Sequence, residues 1–393
     1  MGPEVRPLGE DDLRASYELF LRSLLVNPVK DAEWEVLVRS YQPGRAFGAY
    51  LDGTLAGTAM TWGSALRVPG GADLPTAMLT RVGVRADFRR RGLLTALMRA
   101  TLADSVERGE VFSTLHASEP VIYGRFGYGV ATRAPRVAVR TGVPFAPTAP
   151  TGGRVRLVEQ DEAVAVLPDL YARVGRTRPG ALARPAQWWR TALERPTDDL
   201  RFVIHAGPDG DDGFAVFSTV RDNPDGPRLD VPNLVAADDN AVAGLWRFLL
   251  SIDLAAEVST WARPPDELVR ALFTDPRAIT DETLNDDLWL RVVDVPRALA
   301  ERTWAGPTVI KVNDPLLPAN AGVYTVSESG VHQGPADPDV EVDADVLARL
   351  YLGEWSATAL AAVGRLRARS PEAAARADRA FRLPRPAWCG TYF

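Results

Sequence analysis

The sequence predicts an α/β protein (α+β in its segregation of strands and helices) built in three parts, each a sheet with helices packed on it. Three observations lead there. At 393 residues the chain exceeds the size at which one hydrophobic core keeps growing. An order of helix, hairpin, strand and helix is legible at the N-terminal end and returns in the middle, without residue-level identity between the two. From about residue 290 the order of elements changes again, which sets limits at 1–145, 146–290 and 291–393.

Taken in order, "DDLRASYELFLRSLL" opens with acids and has helical apolar spacing. "RAFGAYLDGTLAGTAMTWGSALRV" alternates about the turn "LDGT" as a strand pair does, and "TAMLTRVGV" is a further strand. "RRRGLLTALMRATLADSVERG" is an amphipathic helix closed by Gly109, "VFSTLHAS" a strand, and "TGVPFAPTAPTGG" a linker rich in Pro, Gly and Thr. The middle part repeats the plan: a hairpin about "GPDGDDG", the strand and helix in "RLDVPNLVAADDNAVAGLWRFLLSI", the strand "AAEVSTWA" and a helix in "PDELVRALFTD". The last part offers the helix "VPRALAERT", strands in "TVIKVND" and "GVYTVS", helices in "DADVLARLYLG" and "SATALAAVGRL", and an aromatic tail, "PAWCGTYF".

Composition narrows the function classes. Hydrophobic residues at 46% and charged ones at 24% belong to folded chains. A net charge of −6 argues against general nucleic-acid or anionic-membrane binding and suits cationic partners. The lone Cys389 excludes an internal disulfide framework and fits a reducing cytoplasm. No signal peptide or membrane-length apolar run is legible, so a cytoplasmic protein without membrane insertion is expected. His205 and His332 lack metal-ligand neighbours at useful spacing, and no metal is expected.

The stretch that carries chemistry is "LTRVGVRADFRRRGLLTALMRATL": a strand, a basic turn with one glycine, then a helix. Successive backbone N–H groups at the positive end of a helix dipole suit a pyrophosphate. Arg89, Arg90 and Arg91 stand where cations oppose that dipole and call for a compensating anion, and Gly92 admits close approach of the backbone. The alternative is a solvated basic cap on an ordinary helix.

"RVGVRADFRRRGLL", with "LHASE" and "IYGRFGYG" after it, resembles the coenzyme A loop of the GCN5-related N-acetyltransferases and, within them, the enhanced intracellular survival branch. Leu94 departs from the Gly or Ala of the general pattern. The resemblance implies two tandem acetyltransferase-type domains with mixed sheets, a C-terminal domain similar to sterol carrier proteins, and a homo-oligomer, a hexamer. It implies acetyl-CoA as co-substrate, held by Val82, Gly83 and Val84 along the strand and by Arg89 to Thr95 (Arg89, Arg90, Arg91, Gly92, Leu93, Leu94, Thr95) at the loop, with Ser118 and Glu119 beside it. It makes Tyr123, which without the resemblance reads as a packed aromatic, the general acid, and the terminal carboxylate of Phe393 the catalytic base. A tail that merely anchors the last domain is the other reading of Phe393, and both can hold together.

In the second part Asp238 and Asp239 stand where the first has arginines, so one coenzyme A site per chain is expected. For the acceptor, Asp31, Trp34 and Glu35, near the end of the first helix, would face a polyamine-like cation or else form a solvated acidic helix, and His116 would form a wall of the site or relay a proton. Trp188 and Trp189 in "QWWRTAL" point to different helix faces, one to the core and one to a groove or interface. Cys389 is read as a small packing residue. The function expected is acetyl-CoA-dependent N-acetylation of primary amines on cationic, aminoglycoside- or polyamine-like molecules or lysine side chains. Its rival is a non-catalytic acyl-CoA-binding or lipid-carrier protein.

Overall fold

The computed structural model describes residues 2–195 and 199–393. Three sheets, of seven, seven and five strands, frame it. The first runs Glu4–Pro7, Ala46–Leu51, Thr54–Arg67, Asp73–Val84, Phe112–Leu115, Trp289–Val292, Gly129–Val130. The second runs Arg154–Val158, Arg201–Gly207, Gly210–Val220, Arg228–Ala236, Glu257–Thr260, Arg133–Arg140, Ile279–Asp286. In both, the fourth strand pairs parallel with the fifth and the other neighbours are antiparallel. The two sheets share one topology, the repeat that the sequence predicts.

The sixth strand of each sheet comes from the other half of the chain. Arg133–Arg140 pairs with Glu257–Thr260 and Ile279–Asp286, while Trp289–Val292 slots between Phe112–Leu115 and Gly129–Val130. The sheets therefore cross the limits drawn at 145 and 290, because alternation along a strand says which face is buried and not which sheet it joins. Where the crossing segments meet they clasp one another: the Ala131 amide donates to the Leu288 carbonyl at 2.8 Å and the Asp287 amide to that of Thr132 at 3.0 Å.

The third sheet runs Gly330–Gln333, Gly322–Ser327, Thr308–Asn313, Val340–Asp343, Arg367–Ala368. It shares one apolar core with the other two sheets, in which Phe112, Trp189, Leu290, Tyr324 and Val346 belong together. Arg291, fully buried on the exchanged strand, donates from Nη2 to both oxygens of Asp314 at 2.7 and 2.6 Å. A Cβ on Gly129 would lie 2.2 Å from the Asp345 carbonyl, so glycine there lets the helix Ala344–Tyr351 seat directly on the first sheet.

Local departures have local causes. The first helix stops at Ser23, before Asn27 and Pro28, and Asp31–Leu37 is a separate helix. "PDELVRALFTD" forms only the 3₁₀ turn Leu268–Ala271, hemmed between Pro264–Pro265 and Pro276. Two helices went unassigned: Gln160–Val174, whose interior Pro168 masks the pattern, and Pro371–Phe381, begun by Ser370, whose side chain accepts from the Ala373 amide. Leu93–Glu107 buries Leu93, Leu97, Met98 and Leu102 against the first sheet. Each such side chain contributes roughly 1.5–3 kcal/mol, enough to hold the helix start in register with the sheet opening.

Candidate active site

The site begins with a splay in the first sheet. Asp73–Val84 pairs with Phe112–Leu115 only from Thr76 to Met78, while its pairing with Thr54–Arg67 continues to Val84. From Leu79 onward one edge of the strand has no strand beside it, which opens a slot along Val82 to Val84. Gly83 is needed here, since a Cβ would meet Ser23 Oγ at 2.7 Å and Phe20 Cα at 3.1 Å in the helix overhead.

At the end of the slot the chain turns through Arg90 (φ 61°) and Gly92 (φ 83°), two left-handed residues that turn successive amides toward one concavity. The helix Leu93–Glu107 then starts with no side-chain cap and no acid in its first turn, so its first N–H groups keep their capacity for an anion. Arg85 pairs with Asp87 at 2.7 Å, whereas Arg89 and Arg90 have no partner among the described residues. A cleft of about 1240 Å³ joins Val82, Gly83, Val84, Arg89, Arg90, Gly92, Leu93, Leu94, Thr95, Ser118, Glu119 and Tyr123. These features fit a pyrophosphate with a long arm reaching into the slot. Arg91 does not line the cleft; its guanidinium lies 5.2 Å over the Phe88 ring.

A second cavity, of about 300 Å³, meets the cleft at Val82, Ser118 and Tyr123. Its far wall is the end of the chain, Tyr392 and Phe393, with Trp188 beside them. The tail is fastened at nearly every residue. The Trp388 indole donates to the Ala262 carbonyl at 2.6 Å and its amide to Pro179 at 2.9 Å. Arg184 donates to the Gly390 carbonyl at 2.8 Å and the Trp188 indole to that of Tyr392 at 2.7 Å. His116 Nε2 donates to the Thr391 carbonyl at 2.8 Å, and its ring meets those of Tyr392 and Phe393 at 4.8 and 4.9 Å. A tail held this way forms a wall of the site as well as an anchor.

Tyr123 is 8% exposed, and among the described residues no group hydrogen-bonds its hydroxyl. Burial, helped by the nearby Glu119, pushes the phenol up to about 12, so it keeps its proton throughout the physiological range. Behind the tail, burial also raises the Asp287 carboxyl and the Cys389 thiol. His116, Asp287 and Cys389 bring ligand atoms within 4.8 Å of one another. Each is already engaged: Asp287 accepts from Thr132 Oγ1 at 2.9 Å and from the Cys389 amide, and Cys389 Sγ donates to Thr391 O at 3.4 Å. The cluster works as the tail's fastening, which gives Cys389 more than a packing role.

Of the acceptor residues read from sequence, His116 lines the second cavity and the other three do not. Asp31 pairs with Arg14 at 2.6 Å, Trp34 packs behind Tyr17 and Tyr41, and Glu35 is exposed to solvent. They were drawn together by adjacency in the chain, but their helix presents them outside the cavity. Trp188 and Trp189 divide as expected, the first to the cavity, the second to the core against Tyr171 and Phe214. His205 is fixed as a structural residue, accepting at Nε2 from the Gly153 amide at 2.7 Å and facing Asp212 through Nδ1 at 2.5 Å. Asp238 caps its helix through the Ala241 amide at 2.9 Å, occupying the place of an anion. Unforeseen were Tyr17, Trp62, Arg81 and Arg195 as cavity walls. A charge inside the apolar strand "TAMLTRVGV" was the available signal for Arg81.

Comparison with known proteins agrees with this construction. Residues 4–131 and 180–292 each match an acetyltransferase (GNAT) domain family, and residues 295–390 match a sterol carrier protein domain. The chain is 36% identical to an uncharacterized N-acetyltransferase of Streptomyces avermitilis, over 99% of this chain and 98% of that one. It is 33% identical to N-acetyltransferase Eis of Mycobacterium tuberculosis over 95% of both chains. The crystal structure of Eis1 from Mycobacterium abscessus superposes with a TM-score of 0.86 at 34% identity, covering all of both chains. With two acetyltransferase domains, a sterol-carrier domain and whole-length relatives in common, the chain belongs to the Eis family of GCN5-related N-acetyltransferases.

Proposed function

We propose that this N-acetyltransferase moves the acetyl group of acetyl-CoA directly to a primary amine, with one cofactor site per chain. The observation that carries the reading is the meeting of the two cavities at Tyr123, with Phe393 lining the second of them. The left-handed loop and helix start hold the pyrophosphate, Arg89 and Arg90 add charge, and the open strand edge at Val82 to Val84 receives the pantetheine arm and polarises the thioester carbonyl. The amine nitrogen bonds to the carbonyl carbon as the carbon–sulfur bond breaks. The Phe393 carboxylate takes the amine proton and Tyr123 gives its own to the departing sulfur. The carboxylate serves through nearness to the ammonium, directly or through one water. The first part supplies the cofactor loop and one side of the acceptor wall, the second adds Trp188 and Arg195, and the last carries the tail. The hexamer belongs to the same reading, and light scattering of the purified protein tests it.

The sequence suggested polycationic, aminoglycoside- or polyamine-like acceptors, or lysine side chains. The cavity narrows that choice, as developed below. The test of the transfer mechanism compares thiol release from acetyl-CoA by the native protein and by a form extended by two residues past Phe393. Turnover collapses on extension while acetyl-CoA affinity by calorimetry stays the same. Equal turnover in both removes the terminal carboxylate as base, and cofactor binding without turnover of any amine supports the carrier alternative.

A further inference from the structure

The charges lining the acceptor cavity have the wrong sign for a polycation. Among the described residues no Asp or Glu lines it; its charged side chains are Arg81 and Arg195, set against the Phe393 carboxylate. Arg195 reaches Glu33 only at 3.7 Å, and its buried Nε has no partner. A molecule bearing several ammonium groups would place one at Phe393 and the rest beside guanidinium groups.

Arg81 is the sharper feature. It is 6% exposed, so its guanidinium sits in a place from which water is mostly excluded. The other buried arginines of the described chain have more partners, although Arg184 Nη1 and Arg291 Nε and Nη1 are likewise buried without one. Arg263 meets Glu267, Arg291 meets Asp314, Arg302 donates to the carbonyls of Tyr351, Thr303, Ala380 and Phe381, and Arg184 to Gly390 O and Thr391 Oγ1. Arg81 has a single hydroxyl, donating from Nη2 to Ser40 Oγ at 2.7 Å, and ring faces: Tyr41 at 4.5 Å, Tyr17 at 4.8 Å and Trp62 at 5.9 Å. Its Nη1 is buried with no partner. Arg81 lies on a bend of its strand, with φ 54° and a register shift against the neighbouring strand between Thr58 and Met60. A left-handed residue, a buried cation with no carboxylate partner among the described residues and a cavity lined by the same residue suit an anion at this place.

We propose that the acceptor is a small amine that also carries an anionic group, a carboxylate on an apolar or aromatic body, bound with its ammonium toward Phe393 and its carboxylate on Arg81. The rings of Tyr17, Phe20 and Trp62 supply the apolar wall, and the guanidinium over Tyr17 keeps Nη1 unpartnered, which a planar acid would reach once a side chain beside it shifts. The cavity of about 300 Å³ sits at the small end of ligand sites. This assignment rests on the transfer reading above and refines its acceptor.

The test uses the full-length protein and matched probes that differ by one charge: L-phenylalanine against 2-phenylethylamine, and phosphoethanolamine against ethanolamine, with spermidine as polycation. Thiol release from acetyl-CoA is expected to show kcat/KM at least about tenfold higher for L-phenylalanine than for 2-phenylethylamine, with spermidine below both. Arg81→Gln brings the two aromatic amines to similar kcat/KM, chiefly through KM for the amino acid. Preference for phosphoethanolamine over L-phenylalanine overturns the carboxylate, and preference for spermidine or 2-phenylethylamine overturns the anion altogether. Since Arg81→Gln can fail to fold, binding of phenylacetate, which has the anion and no amine, is measured by calorimetry on the unaltered protein against 2-phenylethanol. Phenylacetate is expected to bind and the alcohol not. Amine turnover without phenylacetate binding overturns this inference and leaves acetyl transfer standing. Phenylacetate binding with no amine turned over supports the anion site and overturns acetyl transfer.

Discussion

Gly92 offers the most direct test of the cofactor loop, because its conformation and its surroundings make separate demands. A Cβ there would find only Pro3 Cγ, at 3.8 Å, so space does not forbid a side chain. The dihedral does: φ is 83°, where an L-residue costs about 1–2 kcal/mol and a β-branched one more. Gly92→Ala also removes disorder from the unfolded chain, which offsets about 0.4–1 kcal/mol, so its effect on thermal stability should be small. Cofactor affinity has no such offset. If the variant loop relaxes out of the left-handed region, binding must restore it, and about 1–2 kcal/mol corresponds to a roughly 5- to 30-fold weaker Kd. Asn tolerates this region better than other residues, so calorimetric titration with acetyl-CoA should rank affinity as Gly, Asn, Ala, Val. Ala and Val variants that bind within twofold of the native protein would refute the claim that this loop holds the pyrophosphate.

Other consequences follow from the same geometry. Tyr123→Phe should lower kcat by about 10²- to 10⁴-fold with acetyl-CoA affinity unchanged, measured by steady-state thiol release beside calorimetry. The same variant should alter alkaline stability. The folded phenol titrates at about 12 against about 10 unfolded, so below pH 10 both states hold the proton, and between pH 10 and 12 the unfolded state loses it first and stability falls as pH rises. Denaturant titrations should therefore shift in the variant's favour by up to about 2–3 kcal/mol across that window and not below it. Asp314→Ala strands the Arg291 cation in the core and should destabilise the chain by about 3–5 kcal/mol in chemical denaturation. Arg184→Met frees the tail at Gly390 and Thr391 and should cut turnover more than it cuts acetyl-CoA affinity.

The loop and helix start to which this reading assigns the cofactor were legible because their signals are local. A basic turn, one glycine and an uncapped helix start lie within a few residues of each other, and each follows from backbone rules that need no distant partner. Hairpins were legible for the same reason, as with "LDGT", where Asp52 and Gly53 take φ 50° and 74°. The acceptor side is assembled from far-apart segments: Tyr17, Trp62 and Arg81 from the first sheet region, Trp188 and Arg195 from the second, Phe393 from the end. Asp31 and Glu35 looked like its acids only because the chain writes them side by side. The bulge that re-aims Arg81 breaks the period on which strand reading depends. The helix Pro371–Phe381 has a legible start at Ser370–Pro371, whereas the membership of Arg133–Arg140 in the second sheet has no local signal.

The reciprocal strand exchange bears on how this protein is made. During synthesis the first sheet emerges with an empty lane between Phe112–Leu115 and Gly129–Val130, and the strand that fills it, Trp289–Val292, leaves the ribosome about 160 residues later. At translation speeds of about 5–20 residues per second, that leaves two unpaired strand edges waiting for roughly ten to thirty seconds. An open edge is a template for another chain's strand, and neighbouring nascent copies on one messenger are the nearest supply. The second half of the molecule thus completes the first as well as folding beside it, and slow codons between residues 140 and 289 should lower the yield of native protein without changing any residue of the finished enzyme.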